Sequence, residues 1–367
     1  MKILALQGSP RPKGYTQMVL EKFLEGAASK GAEFEVVHLA RKKIHPCTGC
    51  YTCWYKTPGV CIYRDDDMPE LLEKVKSCNV EVYATPLYNY SMTAYMKLFL
   101  ERRIPLLQPY LIESEGVTTH PPRFPEKWAA KTVLISVCGF PEVEHFGALV
   151  ENFRLLCRAG RKQFAGVLLR PGSEAMLFMD WLGKKGRDVL QGFYQAGQEI
   201  VENGEVSKEV EEIVRTEWTK NRRGVHEQAN LFWDIRMEHA ERTCRGEEKR
   251  SFEEVIREDI RIILGGMAVS FNRESAGDLQ ATIQFDVSGK QPGQWYYEIK
   301  DESCTFREGT FDKPTLTLHT PSEVWLAIAK GELDGTQAFM EKKYTAEGDF
   351  TLLMRFKSLF GRTEDDP

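Results

Sequence analysis

The strongest constraint on this chain is an alternation that runs five times through residues 1–205. A short apolar run is followed each time by a longer amphipathic stretch. Residues 3–6, 34–39, 80–84, 132–137 and 165–169 have strand length, and residues 16–29, 68–77, 93–102, 146–159 and 186–202 have helix length. Within 16–29, Val19, Leu20, Phe23 and Leu24 recur on one helical stripe. Strands separated by helices predict an open, parallel, doubly wound sheet of the α/β class. Such a sheet binds ligands beyond the carboxyl ends of its strands.

The rest of the chain has a different texture. Residues 206–250 read as a helical connector: from 208 to 259, 25 of 52 residues are charged and none is Pro, so most of this surface must face water. Val210, Ile213, Val214 and Trp218 form one apolar stripe, and Ala229, Phe232, Trp233 and Met237 another. Residues 251–367 open with a helical stretch over 252–271. Three alternating strands follow at 281–287, 295–299 and 304–308, then the segment 316–319, a helix at 322–330, the segment 331–342 and a final strand-then-helix stretch. This order predicts an α+β domain. The net charge of -5 argues against a nucleic-acid binder. No run of 18 apolar residues predicts a membrane span. The first residues lack the apolar stretch and small-residue site of a secretion signal, so a cytoplasmic location is expected.

Four of nine cysteines fall within fifteen residues, at Cys47, Cys50, Cys53 and Cys61. In a cytoplasmic chain, one tight cluster reads as metal or redox chemistry rather than a disulfide scaffold. The spacing Cys-x-x-Cys-x-x-Cys wraps three thiolates around one cuboidal cluster, and a nearby fourth completes four iron ligands. A four-thiolate zinc site and free thiols stand as alternatives. Asp65, Asp66 and Asp67 read as a cap on the next helix.

After the first run comes Gly8-Ser9-Pro10-Arg11-Pro12-Lys13-Gly14-Tyr15-Thr16, then a helix. Amides at a helix start, the Ser9 and Thr16 hydroxyls and the Arg11 guanidinium suit an anion. Gly8 and Gly14 allow close backbone approach. The loop is neither Gly-Lys-[Ser/Thr] nor Gly-x-Gly-x-x-Gly, which points to a mononucleotide phosphate. The structural alternative is an ordinary strand–helix turn with Ser and Thr as caps. The segment resembles the FMN-phosphate loop of the NADPH-dependent FMN reductase and iron-sulfur flavoprotein families, which are flavodoxin-like. Tyr15 stands where those families usually carry Asn.

After the third run, Thr85-Pro86-Leu87-Tyr88-Asn89-Tyr90-Ser91-Met92, followed by Ala94, Lys97, Phe99 and Arg102, resembles the isoalloxazine loop of the same families. Tyr88 and Tyr90 offer flat faces, Asn89 and backbone amides suit a pyrimidine edge, and Pro86 stiffens the turn. After the fourth run, Cys138-Gly139-Phe140-Pro141-Glu142 resembles their third flavin loop. The cysteine spacing likewise resembles the compact motif of iron-sulfur flavoproteins, which carry [4Fe-4S] beside FMN.

From about residue 252 the chain resembles the sterol carrier protein-2 family. The resemblance lies in 282–289, 295–299, Asp312-Lys313-Pro314-Thr315, Gly331-Glu332-Leu333-Asp334 and Gln337-Ala338-Phe339-Met340, and it runs through Leu359-Phe360. That family folds around an apolar tunnel for lipids. Leu333, Phe339, Met340, Leu352, Leu353, Met354, Phe356 and Phe360 are candidate lining residues; plain core, with the domain as an interaction module, is the alternative.

The resemblances imply an FMN-dependent NAD(P)H oxidoreductase and a homo-oligomer, with a nicotinamide or ferredoxin donor and a lipid or other hydrophobic ligand. Ser9, Arg11, Gly14, Tyr15 and Thr16 would hold the phosphate; Pro86 to Tyr90 and Cys138, Gly139, Phe140 and Glu142 the ring. No side chain reads as a catalytic acid or base. An electron carrier without turnover of its own, and a lipid-binding protein with a redox-sensing half, are the other readings.

Overall fold

In the computed structural model, which describes residues 1–360, the five apolar runs are strands: β1 (Lys2–Gln7), β2 (Glu33–His38), β3 (Val80–Pro86), β4 (Lys131–Val137) and β5 (Gln163–Arg170). All pair in parallel, in the order β2-β1-β3-β4-β5. This is the flavodoxin-like order, with its switch point between β1 and β3. Every residue of β3 is buried, as a strand covered on both faces must be. Helices α1 (Tyr15–Ser29) and α5 (Met179–Glu202) cover one face through Val19, Phe23, Phe193 and Ile200. Helices α2 (Met68–Ser77), α3 (Ala94–Glu101) and α4 (Gly147–Gly160) cover the other through Leu71, Phe99 and Phe153.

Helices α1 and α5 meet at two glycines. A Cβ on Gly26 would stand 1.8 Å from the Tyr194 carbonyl oxygen, and one on Gly197 would stand 1.9 Å from that of Phe23. Backbone atoms cannot swing aside as side chains do. Gly197→Ala is therefore expected to cost roughly 3 kcal/mol, the upper end of overpacking penalties. An unchanged urea midpoint would contradict this close crossing.

The two apolar stripes after residue 205 lie on two helices, as their spacing predicts, but the helices fall in different units. Helix α6 (Lys208–Arg215) buries Val210 and Val214 against the first core. Its Glu211 carboxylate accepts the Val167 amide of edge strand β5 at 2.9 Å. Helix α7 (Arg222–Cys244) belongs to a second unit, because the chain divides into Met1–Trp218 and a unit beginning at Thr219. The boundary falls inside the stretch read as a connector. On α7, Ile235 is buried, whereas Trp233 and Met237, read as part of its stripe, are exposed.

In the second unit, the helix expected over 252–271 is two helices, Phe252–Ile256 and α8 (Ile260–Val269). The break comes where Asp259 turns its carboxylate onto the Arg261 amide as an N-cap. Five strands follow: β6 (Ala281–Ser288), β7 (Gly293–Lys300), β8 (Ser303–Glu308), β9 (Leu316–Pro321) and β10 (Thr345–Gly348). Their order is β8-β7-β6-β9-β10, antiparallel except for the central pair β6 and β9. Phe285 anchors the core, 4.8 Å from Tyr297 and 5.3 Å from Trp325 between ring centroids. Among the described residues no helix is long and apolar enough to cross a membrane.

Candidate functional site

The three loops that resemble flavin loops leave the carboxyl ends of β1, β3 and β4 and are tied to one another. In the first, the Gly8 amide donates to the Ala84 carbonyl at 2.8 Å. Ser9 is buried; its hydroxyl accepts the Arg11 amide at 3.1 Å, and its own amide donates to Gln7 Oε1 at 2.6 Å. Gly14 is the N-cap of α1 without any side-chain cap, and its carbonyl takes the Gln17 and Met18 amides. Among the described residues, the Thr16 amide and hydroxyl have no hydrogen-bond partner, and the exposed Arg11 guanidinium has no carboxylate. Tyr15 is half-buried at the same helix start. Two donors and a cation thus stand unused at the positive end of a fifteen-residue helix, an arrangement that suits a phosphate.

The second loop holds a strained turn. Asn89 and Tyr90 have φ of 47° and 60°, and Tyr88 and Ser91 exchange backbone hydrogen bonds at 2.9 and 3.0 Å around them. Asn tolerates left-handed backbone; Tyr does so at a cost of about 1–3 kcal/mol. The turn leaves the Tyr88 and Tyr90 rings exposed. Pro86 ends β3, and the next amide, Leu87, donates to Val137 at 2.9 Å. Thr93 closes this loop onto the first, donating its hydroxyl to the Gly8 carbonyl at 2.7 Å while capping α3.

The third loop begins at Cys138, whose thiol is buried and pushed up by burial, an inert rather than a reactive setting. Gly139 follows, its Cα facing the Glu174 side chain, and Phe140 is exposed. The Phe140 and Tyr90 rings both lie against His145, at centroid distances of 4.9 and 5.7 Å, and His145 sits 3.3 Å from Glu142. Thr93 and His145, which join the loops, carry no motif that singles them out in the sequence.

The cysteine loop lies between β2 and α2. Cys47 and Cys61 are half-buried, Cys50 is exposed and Cys53 is buried, and all four line one small pocket with Tyr63, Arg102 and Pro105. As the side chains stand, no three His, Cys, Asp or Glu among the described residues are grouped to hold a metal ion. Burial, then the neighbouring Cys61, Cys50 and Cys47, push the Cys53 thiol up to about 11. Hydrogen bonding to Thr52 lowers that of Cys50.

A buried ion pair holds the ends of this loop. Arg102 and Asp66 side chains are 1% and 0% exposed and meet at 2.6 Å. Arg102 donates to the carbonyls of His45 at 2.7 Å and Tyr63 at 3.4 Å, just outside Cys47 and Cys61. Asp66 accepts the amides of His45 at 3.0 Å and Met68 at 3.1 Å. Burial pushes the Asp66 carboxyl up, but Arg102 and these amides bring it below the ordinary range. The Asp triplet thus does help to start α2, yet its central member also clamps a loop through a partner 36 residues away.

The C-terminal unit has a cavity of about 220 Å³ between α7, α8 and β8, lined by Gln228, Leu231, Ala268, Val269, Phe306 and Arg307 among others. None of the expected lining residues borders it. Leu352 and Phe360 are core, and Met340 and Met354 face solvent.

Comparison with known proteins divides the chain in the same way. The family described as NADPH-dependent FMN reductase matches residues 1–142, and the SCP-2 sterol transfer family matches 270–361. An iron-sulfur flavoprotein of Archaeoglobus fulgidus is 35% identical over 142 residues, 39% of this chain and 58% of that protein. One of Methanocaldococcus jannaschii is 36% identical over 106 residues, 29% of this chain and 53% of its own. The chain spans about half the length of these curated relatives. The solved structure of an NAD(P)H:quinone oxidoreductase from Methanothermobacter marburgensis aligns at TM-score 0.41 and 19% identity, covering 55% of this chain and 96% of that one. The two family matches fall in the two separate units, residues 1–142 in the first and 270–361 in the second.

Proposed function

We propose that the N-terminal unit binds FMN across its three loops and works as an NAD(P)H-dependent oxidoreductase, with a [4Fe-4S] cluster on the cysteine loop. The observation that carries this reading is the unpaired Arg11 guanidinium and Thr16 donors at the start of α1, beside two loops with exposed rings. FMN, when bound, supplies hydride acceptance and the release of electrons singly or in pairs. Arg11, Thr16 and the Ser9 turn fix the phosphate. Tyr88, Tyr90 and Phe140 would shield the ring from water, and Asn89 would meet its polar edge. No side chain here is assigned as an acid or base.

The donor set of the cysteine loop fits an iron-sulfur cluster in chemistry: four thiols border one pocket, and an N–H of Arg102 in its wall is buried without a partner. The cluster would supply one-electron transfer. The thiols must draw closer together to bind, and Cys53 must give up a proton that burial now holds on. The donor is NADH, NADPH or a ferredoxin.

Anaerobic purification with an absorbance spectrum, flavin identification and iron and sulfide assays tests both parts. Flavin bands, FMN released on denaturation and near-stoichiometric iron are expected, and Cys50→Ser is expected to remove the broad visible iron-sulfur absorbance. Failure to take up FMN on reconstitution sinks the first part; a spectrum unchanged in Cys50→Ser sinks the second.

For the C-terminal unit, the cavity between α7, α8 and β8 supports a hydrophobic ligand with a polar end near Arg307. A fluorescent fatty-acid probe is expected to bind the full chain and to be excluded by Leu231→Trp. Equal binding by that variant would place the ligand elsewhere.

A further inference from the structure

We infer that Arg102 positions and tunes the group held by the cysteine loop, its buried Nε–H donating to a cluster sulfur. The inference rests on the reading that this loop carries a [4Fe-4S] cluster.

A guanidinium has five N–H donors in a fixed fork. Four belong to the two Nη atoms of Arg102. Nη1 serves the His45 carbonyl and Asp66, and Nη2 serves the Tyr63 carbonyl and Asp66. The fifth, on Nε, is shut off from solvent and has no acceptor. Leaving a buried donor unsatisfied is costly, more so on a charged group, so such an orphan asks for an explanation. Arg102 lines the same pocket as Cys47, Cys50, Cys53 and Cys61. Its other contacts hold the fork: Asp66, the Tyr63 ring at 5.2 Å, and the carbonyls that bracket the cysteines. The one donor without a partner therefore belongs to a side chain that lines the same pocket as the four thiols, alongside Thr48, Tyr51 and Glu101.

A thiolate-ligated cluster is electron-rich, and it gains negative charge on reduction. A nearby cation and an N–H···S bond both stabilise the reduced form and raise its potential. Only one carboxylate, Asp66, pairs directly with Arg102 among the described residues. Removing the cation and removing that carboxylate should thus move the potential in opposite directions. A residue that merely shaped the loop would change how much iron binds and leave the potential alone.

The test uses the full chain, reconstituted anaerobically with iron and sulfide, as wild type, Arg102→Gln, Arg102→Lys and Asp66→Asn. Iron and sulfide per chain are assayed, and the cluster midpoint is read by spectroelectrochemical titration. At a fixed applied potential, Arg102→Gln is expected to lower the reduced-to-oxidised ratio about tenfold, a shift of about 59 mV for one electron. Arg102→Lys keeps the charge and recovers part of the shift. Asp66→Asn shifts the midpoint the other way. Arg102→Gln with a full cluster at the wild-type midpoint overturns the inference. Should Arg102→Gln not fold, an unchanged or lowered midpoint in Asp66→Asn overturns it equally. A wild type that takes up no cluster removes the underlying reading, and this inference with it.

Discussion

Arg11→Ala is expected to weaken FMN binding about tenfold while leaving riboflavin binding within twofold. A charge-assisted hydrogen bond contributes roughly 1.5–3 kcal/mol, and each ~1.4 kcal/mol is a factor of ten. Arg11 is exposed, so solvent screening keeps its share at the lower end. Riboflavin differs from FMN only in lacking the phosphate, which makes it the internal control. Thr16→Val, which keeps the side-chain shape and removes the hydroxyl, is expected to add a further severalfold loss for FMN alone. Titration by quenching of flavin fluorescence reads all four combinations. Equal losses for the two ligands would mean that the first loop does not hold the phosphate, and the proposed site would have to be redrawn.

Glu81→Gln is expected to destabilise the N-terminal unit by about 3–5 kcal/mol, a large share of the ~5–15 kcal/mol typical of a domain. Glu81, at the amino end of β3, is fully buried. Arg103 grips it with two bonds, at 2.9 and 3.1 Å, Lys162 stands at 2.8 Å, and the Tyr83 hydroxyl donates at 2.6 Å. Burial pushes the carboxyl up, but Arg103 and Lys162 outweigh it and hold it at about 2. At Lys162 burial wins instead, and its ammonium is held below the ordinary range. The amide variant keeps the shape and leaves two cations buried without their anion. A carboxyl held below its ordinary value of about 4.5 stabilises the fold fully above that pH, and the contribution fades as the pH falls toward about 2. The gap between wild type and Glu81→Gln should therefore be largest at neutral pH and close on acidification. Urea titrations at pH 7 and pH 3 check this; a gap that does not narrow would show that the carboxylate charge is not what holds the cluster. The site lies at the opposite end of the sheet from the three loops, so FMN affinity of folded variant should stay near wild type.

The N-terminal strands and helices were legible because each apolar run is short and each following stripe keeps one period. The three loops were legible because they sit where such a sheet must leave its strands. What the sequence hid are pairings across distance. Asp66 is spaced like a helix cap, and nothing nearby announces Arg102. Glu81 looks like a charged residue misplaced in an apolar strand until Arg103 and Lys162 arrive from two other segments. The second stripe of the charged region was misread because α7 carries apolar residues on more than one side, and composition alone does not say which side meets the protein. The candidate lining residues near the C-terminus carry a related ambiguity: Phe and Met at helical spacing serve a core as readily as a cavity. Here Phe360 does the former, while the cavity borders α7 and α8, which lie outside the SCP-2 match.

Helix α6 has a further consequence for assembly. By setting the Glu211 carboxylate on the Val167 amide, it occupies a hydrogen-bonding position on the outer strand that an intruding chain would need. Growth of this sheet by strand addition from another molecule is obstructed on that flank. On the opposite flank, Glu33 places a charge on β2 that a second copy of the same strand would have to face. Copies of this unit that associate are thereby steered toward contact through helices and loops rather than through a shared, continuous sheet.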